Sequence, residues 1–245
     1  MVKLNMIDSK KIIEMKNNQN FFEAEFIDRP IRFITKIKIN NEIVLSHLPD
    51  PGRLKELLIP GVKLLVQKES GLNRKTRFST QAVFKDGILI SLNTLIPNKF
   101  VSFLLKNKSL PFLKDWEFDS QEVSNGHSRF DFRLTKNNLK KIVEVKSVSL
   151  VQNKVAKFPD AVTERGTKHV KHLAELISQD LETMVLFVIQ RPDADHFEPQ
   201  WERDPQFSKA LLDASNKGVH IKVIKMKMTP QSLIYLGEVP YKLEL

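Results

Sequence analysis

The alternation of apolar and polar residues divides the chain into two halves of different texture. Residues 22–27 alternate, and so do residues 31–39, where Arg32, Lys36 and Lys38 interleave with Ile and Phe. Asn40-Asn41 reads as a turn, and residues 42–47 return from it. Successive side chains of a strand point to opposite faces, so a period of two predicts strands with one buried face. The segment PDPGRLKELLIP, residues 49–60, interrupts with a Pro-Gly turn and one or two helical turns at 54–58. Residues 62–67, 79–84 and 88–92 resume the strand pattern, the last two joined at Asp86-Gly87. Five or so short strands with one small helix predict a small β-barrel of the OB type. Residues 1–20 are polar, rich in Lys and Asn, and read as a tail without assigned structure.

The second half alternates strand and helix. Residues 97–112 start with Pro97 and carry Phe100, Phe103 and Leu104 at helical spacing, predicting a helix that leaves the barrel. Strands follow at 116–123, 130–134 and 142–146, the last two joined by the turn Lys136-Asn137-Asn138, with 147–151 as a further strand or its continuation. Asp160, after Pro159, reads as the N-cap of a helix reaching about residue 178, with Val170, Leu173, Ala174 and Ile177 as its buried stripe. The unbroken run TMVLFVIQ, residues 183–190, predicts a strand buried on both faces. A loop at 197–205, a helix at 207–215 and strands at 219–226 and 233–239 complete the chain. The fold class expected is an OB-like barrel, residues 21–100, followed by a mixed-sheet α/β domain, residues 101–245.

Chemistry concentrates in SRFDFRLTKNNLKKIVEVK, residues 128–146. If its two strands pair, Asp131 from the first and Glu144 and Lys146 from the second converge on one face. Two carboxylates brought close repel each other, and burial worsens the conflict. A divalent cation removes it: Mg²⁺ prefers oxygen ligands and takes one or two carboxylates together with phosphate oxygens and water. A neighbouring Lys can orient a water and offset phosphate charge. Asp131, Glu144 and Lys146 are therefore the candidate catalytic residues for phosphodiester cleavage with Mg²⁺ or Mn²⁺. Asp131 and Glu144 are the candidate ligands, and Glu122, on the preceding strand, is a third. Solvated charges on two edge strands are the alternative, because so short a pattern of common residues is weak alone.

Charge adds a partner. The chain of 245 residues carries a formal net charge of +10, unevenly spread. Residues 1–115 hold 20 Lys and Arg against 11 Asp and Glu, whereas residues 116–245 hold 19 against 18. A basic half beside a near-neutral half with a carboxylate cluster suits a protein that grips a polyanion with one part and acts on it with the other. Arg53 in the Pro-Gly turn and Arg74, Lys75 and Arg77 in the loop GLNRKTRF are candidate phosphate contacts. Arg165, Lys168, His169 and His172, at i, i+3, i+4 and i+7 of the predicted helix, form a second basic stripe that could hold phosphate oxygens. His47 reads as packed rather than catalytic. No recognition helix or zinc finger is visible, so DNA binding largely independent of sequence is expected. There is no cysteine, hence no disulfide framework. No run of eighteen apolar residues and no signal-peptide core occur, so a cytoplasmic protein that does not enter a membrane is expected. A homodimer is a candidate assembly.

The segments HLPDPGRLKELLIPG, SRFDF, VEVKSVSL, FPDAVTERGTKHVKHL, LFVIQR and DPQFSKALLDASNKGV occur in that order. Together they resemble the sugar fermentation stimulation protein (SfsA) family, over nearly the whole chain from about residue 21. The resemblance implies an OB-like amino-terminal domain and a carboxyl-terminal domain similar to PD-(D/E)xK nucleases. It implies Asp131, Glu144 and Lys146 as the nuclease-like triad, and DNA binding. The chain departs from the pattern at Asp50 and Pro51, where many relatives carry Asn and Thr. Two functions from different classes follow: a metal-dependent nuclease, or a non-catalytic DNA-binding regulator of sugar-metabolism genes of the maltose type.

Overall fold

A computed structural model of the chain describes residues 13–17, 19–70 and 75–244. Its first strand, β1 (Glu14–Lys16), falls in the stretch expected to be an unstructured tail. The barrel follows: β2 (Phe21–Ile31), β3 (Ile34–Ile39), β4 (Glu42–His47), β5 (Lys63–Lys68) and β6 (Phe78–Lys85), with β7 (Ile88–Ser91) hairpinned onto β6. The hydrogen-bonded order is β4-β3-β2-β5-β6, and a parallel pairing of Ser46 with Phe78 returns β6 to β4. That pairing closes five strands into the OB topology. Alternation decides what enters: Phe26, Ile37, Ile39, Leu64, Val66, Val83 and Ile90 fill the interior. Lys36 and Lys38 stay outside.

Helix α1 (Ile96–Lys106) leaves the barrel with Pro97 in its first turn, where a missing N–H costs no helical bond. The second domain is a seven-stranded mixed sheet. It uses β8 (Glu117–Asn125), β9 (Ser128–Lys136) and β10 (Leu139–Val148) as an antiparallel meander. The short strands β11 (Val151–Gln152) and β12 (Val155–Phe158) precede α2 (Glu164–Glu175), which leads to β13 (Leu181–Ile189). Then come β14 (His196–Pro199), α3 (Pro205–Asn216), β15 (His220–Met228) and β16 (Ser232–Glu238). The order is β1-β16-β15-β13-β10-β9-β8, with β13 parallel to both β10 and β15. Central β13 is buried on both faces from Thr183 to Ile189, as its unbroken apolar run requires. Strands β11, β12 and β14 form a small separate sheet. β14 thus occupies part of the segment expected to be loop. No helix among the described residues is long and apolar enough to cross a membrane.

Two core clusters lie on the two faces of the large sheet. One joins Val143, Val145, Leu186 and Met226 to α1 and also to Leu65, Ala82 and Leu89 of the barrel strands. The barrel and the sheet therefore share an apolar interior across the seam near residue 95. The other packs Ile142, Val185, Phe187 and Val223 under α2 and α3.

The two helices of this face begin on side-chain caps. Thr163 Oγ1 accepts from the Gly166 N–H, and Asp204 Oδ1 accepts from the Phe207 N–H. Helix α2 so starts three residues later than Asp160 suggested, with Thr163 as its N-cap. Asp160 does something else: its Oδ2 accepts the Leu54 N–H of the barrel domain at 2.7 Å, and its Oδ1 pairs with Arg203 at 2.9 Å. Arg29 secures the same turn from the barrel side, donating to the carbonyls of Asp50, Gly52 and Arg53. A Cβ at Gly52 would stand 2.9 Å from Asp50 Oδ1 and 3.0 Å from Asp160 Oδ2, so only glycine fits where the domains touch.

Candidate nucleic-acid and metal site at the seam of the two domains

The hairpin brings the three central residues together, through a local break in the ladder. β9 and β10 pair from Lys136 and Leu139 as far as Phe132 and Val143, and there the pairing ends. Past that point the Val145 N–H lacks a partner strand, and a buried N–H needs an acceptor. Asp131 Oδ2 takes it at 2.7 Å. The other oxygen of Asp131 accepts from Asn98 Nδ2 of α1 at 2.5 Å. Asp131 is thereby oriented by both a neighbouring strand and the interdomain helix.

Glu144 is buried beside it. Its Oε1 receives Lys146 Nζ at 2.6 Å and His169 Nδ1 at 2.7 Å. Its Oε2 is buried without any hydrogen-bond partner. A buried carboxylate oxygen left bare is costly, and functional sites are where such cost is tolerated. Burial first, and the Glu144 charge second, push the Asp131 carboxyl up to about 6. Burial also opposes ionisation of Glu144, but Lys146 and His169 outweigh it and hold that carboxyl below the ordinary range. The pair is thus split, with one acid firmly ionised and the other reluctant.

These residues floor a cavity of about 360 Å³ between the domains. Arg32 and the Asp50–Gly52 turn of the barrel form one wall, and Lys157, Asp160 and Arg165 lie on the other.

The other expected site residues scatter. Glu122 does not join the carboxylates. Its backbone is left-handed (φ 57°), and its side chain, 70% exposed, lies 4.0 Å from Arg129. A carboxylate already in solvent has no desolvation conflict for a cation to relieve. Arg53 is exposed near the cavity's barrel wall. Arg74 lies outside the described residues. Lys75 and Arg77 are exposed, Arg77 at 3.6 Å from Glu42.

The basic stripe of α2 is divided by the helix's own packing. Arg165 and Lys168 face out, whereas His169 and His172 are buried. His172 Nδ1 meets Ser128 Oγ at 2.7 Å, and its ring stacks on His127 at 4.3 Å. Burial, then His127, lowers its basicity. Both histidines are therefore packed inside the domain, His169 on Glu144 and His172 on Ser128, and not on an open phosphate-gripping face. The sequence reading missed Asn98, a polar residue in the first turn of α1. It also missed the part played by Asp160. No pattern in the sequence places either against its partner.

Among the described residues no three His, Cys, Asp or Glu side chains gather as a ligand set. The two carboxylates still fit a hard divalent cation. They offer oxygen donors, one of them orphaned, in a charge conflict that a cation relieves. Water and phosphate oxygens would complete the shell, as is usual for Mg²⁺.

A closed OB barrel welded to a mixed-sheet domain, with paired carboxylates and a lysine at the weld, defines a two-domain protein with a candidate polyanion cleft. Residues 27–92 match the family model described as the SfsA N-terminal OB domain, and residues 95–232 match the one described as the sugar fermentation stimulation protein RE domain. The sugar fermentation stimulation protein homolog of Natranaerobius thermophilus is 40% identical over 225 residues, covering 90% of this chain and 94% of that one. A homolog from Clostridium botulinum is 42% identical over 208 residues, 84% and 90% of the two chains. The solved structure of Pyrococcus furiosus SfsA in complex with Ca²⁺ is similar with a TM-score of 0.85, at 26% identity over 93% of this chain and 98% of that one. The chain belongs to the sugar fermentation stimulation protein family.

Proposed function

We propose that the chain binds DNA in the cleft between its domains and hydrolyses phosphodiester bonds there with a divalent cation held by Asp131 and Glu144. The observation that carries the reading is the buried, unpartnered Glu144 Oε2 beside Asp131, with Lys146 on the same carboxylate. The Pyrococcus furiosus relative, solved with Ca²⁺, gives independent support for a cation in this family. Bound there, a divalent cation supplies positive charge to a non-bridging phosphate oxygen. The chain's own groups do the rest. Lys146 has ammonium hydrogens beyond the one on Glu144 with which to orient a water and offset phosphate charge. Arg32, Lys157 and Arg165 border the cavity and hold flanking phosphates.

His169 is a positioning residue. Together with Lys146 it occupies Oε1 and leaves Oε2 for the ligand. His169→Ala is expected to weaken Ca²⁺ binding roughly tenfold by calorimetry, in the range for residues that orient a metal ligand. Rescue by His169→Asn, which can restore an N–H donor, separates positioning from a loss of packing against Phe130.

The activity test is cleavage of plasmid and oligonucleotide DNA with Mg²⁺ or Mn²⁺, wild type against Lys146→Ala. Cleavage lost in the variant while DNA binding is kept supports the nuclease. Absence of cleavage by highly purified wild type across substrates favours a non-catalytic DNA-binding regulator, which would use the same cleft for binding alone. Either way affinity should fall steeply with salt, because Lys and Arg contacts release counterions from the backbone.

A further inference from the structure

We propose that the site takes its polynucleotide as a single strand, guided to the carboxylates along the outer face of β3 and β4. The inference rests on the nuclease reading above and narrows its substrate class. Two independent features point to it.

The first is room. A cavity of about 360 Å³, walled by the barrel turn on one side and the α2 approach on the other, lies in the size range that encloses one drug-sized molecule. One nucleotide is of that size, and a stacked duplex is not. A nucleotide seated in a pocket of that size is single-stranded or has been taken out of the stack.

The second is the approach. β3 and β4 place Lys36 opposite Leu45 and Lys38 opposite Ile43 on the barrel's outer face. Ile43 is 58% exposed, Leu45 49% and Phe33, at the head of β3, 45%. Ile43 and Leu45, two residues apart on β4, form a short apolar strip flanked by the two lysines. Neither lysine is engaged in an ion pair among the described residues, although Glu25 and Asp28 of β2 lie beside Lys38 and Lys36 in the pairing. Those acids bound the track on one side. Phe33 offers an aromatic face on which an unstacked base can stack, and Lys36 and Lys38 offer charge to its phosphates, an arrangement suited to a single strand.

Arg32 links the two features. Its guanidinium lies 5.7 Å from the Phe33 ring, its Nε donates to the Pro51 carbonyl at 3.0 Å, and its side chain lines the cavity. The strand therefore passes from the Ile43–Leu45 surface over Phe33 to Arg32 and into the cleft.

The test is fluorescence anisotropy without divalent cation, using one labelled DNA sequence as a single strand and as a blunt duplex, with the RNA strand as a third probe. A single strand of either sugar is expected to bind about tenfold tighter than the duplex. Phe33→Ala/Ile43→Ser/Leu45→Ser, all at exposed positions, should lose about tenfold for the single strand and little for the duplex. Duplex binding equal to or tighter than single-strand binding overturns the proposal, as does a triple variant that binds the single strand like wild type. Ca²⁺ calorimetry on the same preparations reports the cation site separately. Loss of the cation reading therefore leaves the strand preference legible, and the reverse.

Discussion

Glu144→Gln is expected to lower Ca²⁺ affinity by at least about a hundredfold and to abolish cleavage, while leaving the fold intact. The reasoning is local. Gln keeps an oxygen for Lys146 and His169, whose bonds at 2.6 and 2.7 Å fix the side chain's orientation. The amide nitrogen then replaces Oε2, the atom that has no partner of its own. A carboxylate charge is lost and an N–H₂ group is aimed at the place a cation would occupy. Removing one of two charged ligands exceeds the ten- to hundredfold effect typical of residues behind the ligands. Thermal stability should fall modestly, because the contacts from Lys146 and His169 that hold the carboxylate ionised outweigh its repulsion from Asp131. Calorimetry with Ca²⁺ and a melting curve check both halves. Unchanged Ca²⁺ binding would move the cation away from Glu144 and end the nuclease reading.

Asp50→Asn is expected to stabilise the protein at alkaline pH and to do nothing in acid. Asp50 is buried where the barrel turn meets Asp160. Burial first, then the charge of Asp160, push its carboxyl up to about 6 against the bond from the Gly52 N–H. The unfolded chain ionises this acid near the ordinary aspartate value of 3.8. The folded state therefore holds a proton that the unfolded state gives up earlier. Its contribution to stability is complete below about 4 and is lost as pH rises through about 6. Two pH units correspond to roughly 3 kcal/mol, with the opposing fields of Arg29 and Asp160 already contained in the shift. Asn mimics the protonated acid, and its carbonyl still accepts from Gly52. The variant's melting temperature should exceed wild type by roughly 2–8 °C at pH 8, with the two curves converging by about pH 4. A variant less stable than wild type at pH 8 would mean that the ionised carboxylate is favourable where it sits.

The legibility of the chain followed the range of the forces involved. Period-two alternation marked the barrel strands because each needs only a neighbour's face to bury against, and β4 was located to the residue. Strand β13 announced itself by an unbroken apolar run. That Asp131, Glu144 and Lys146 share one hairpin could be read from the sequence, but their approach is completed by the Val145 N–H and by Asn98, which hold Asp131 where the strand pairing stops. Contacts between distant segments left no such trace. Asp160 looked like a helix cap, since Pro159 precedes it. Its actual partners, the Leu54 N–H and Arg203, lie 106 and 43 residues away. Asn98 reaches Asp131 only because α1 packs across the sheet. His169 and His172 matched a basic stripe by spacing, but a helix docked on a sheet buries a wide arc, and both fall inside it. Glu122 failed for a backbone reason, a left-handed residue in mid-strand that no residue-type rule foretells.

Strand β1 gives the chain's architecture a last property. Glu14–Lys16 pairs antiparallel with Ser232–Ile234, so residues that precede the barrel in sequence finish the rim of the other domain. The polypeptide is consequently looped like a belt, its early segment buckled against one of its latest. Apart from Ser232, the paired residues of that buckle lie outside the stretches 27–92 and 95–232 matched by the family models. A fragment trimmed to either stretch would leave an open strand margin, ready to pair with another molecule. Work on the isolated parts would then report on self-association rather than on the cleft.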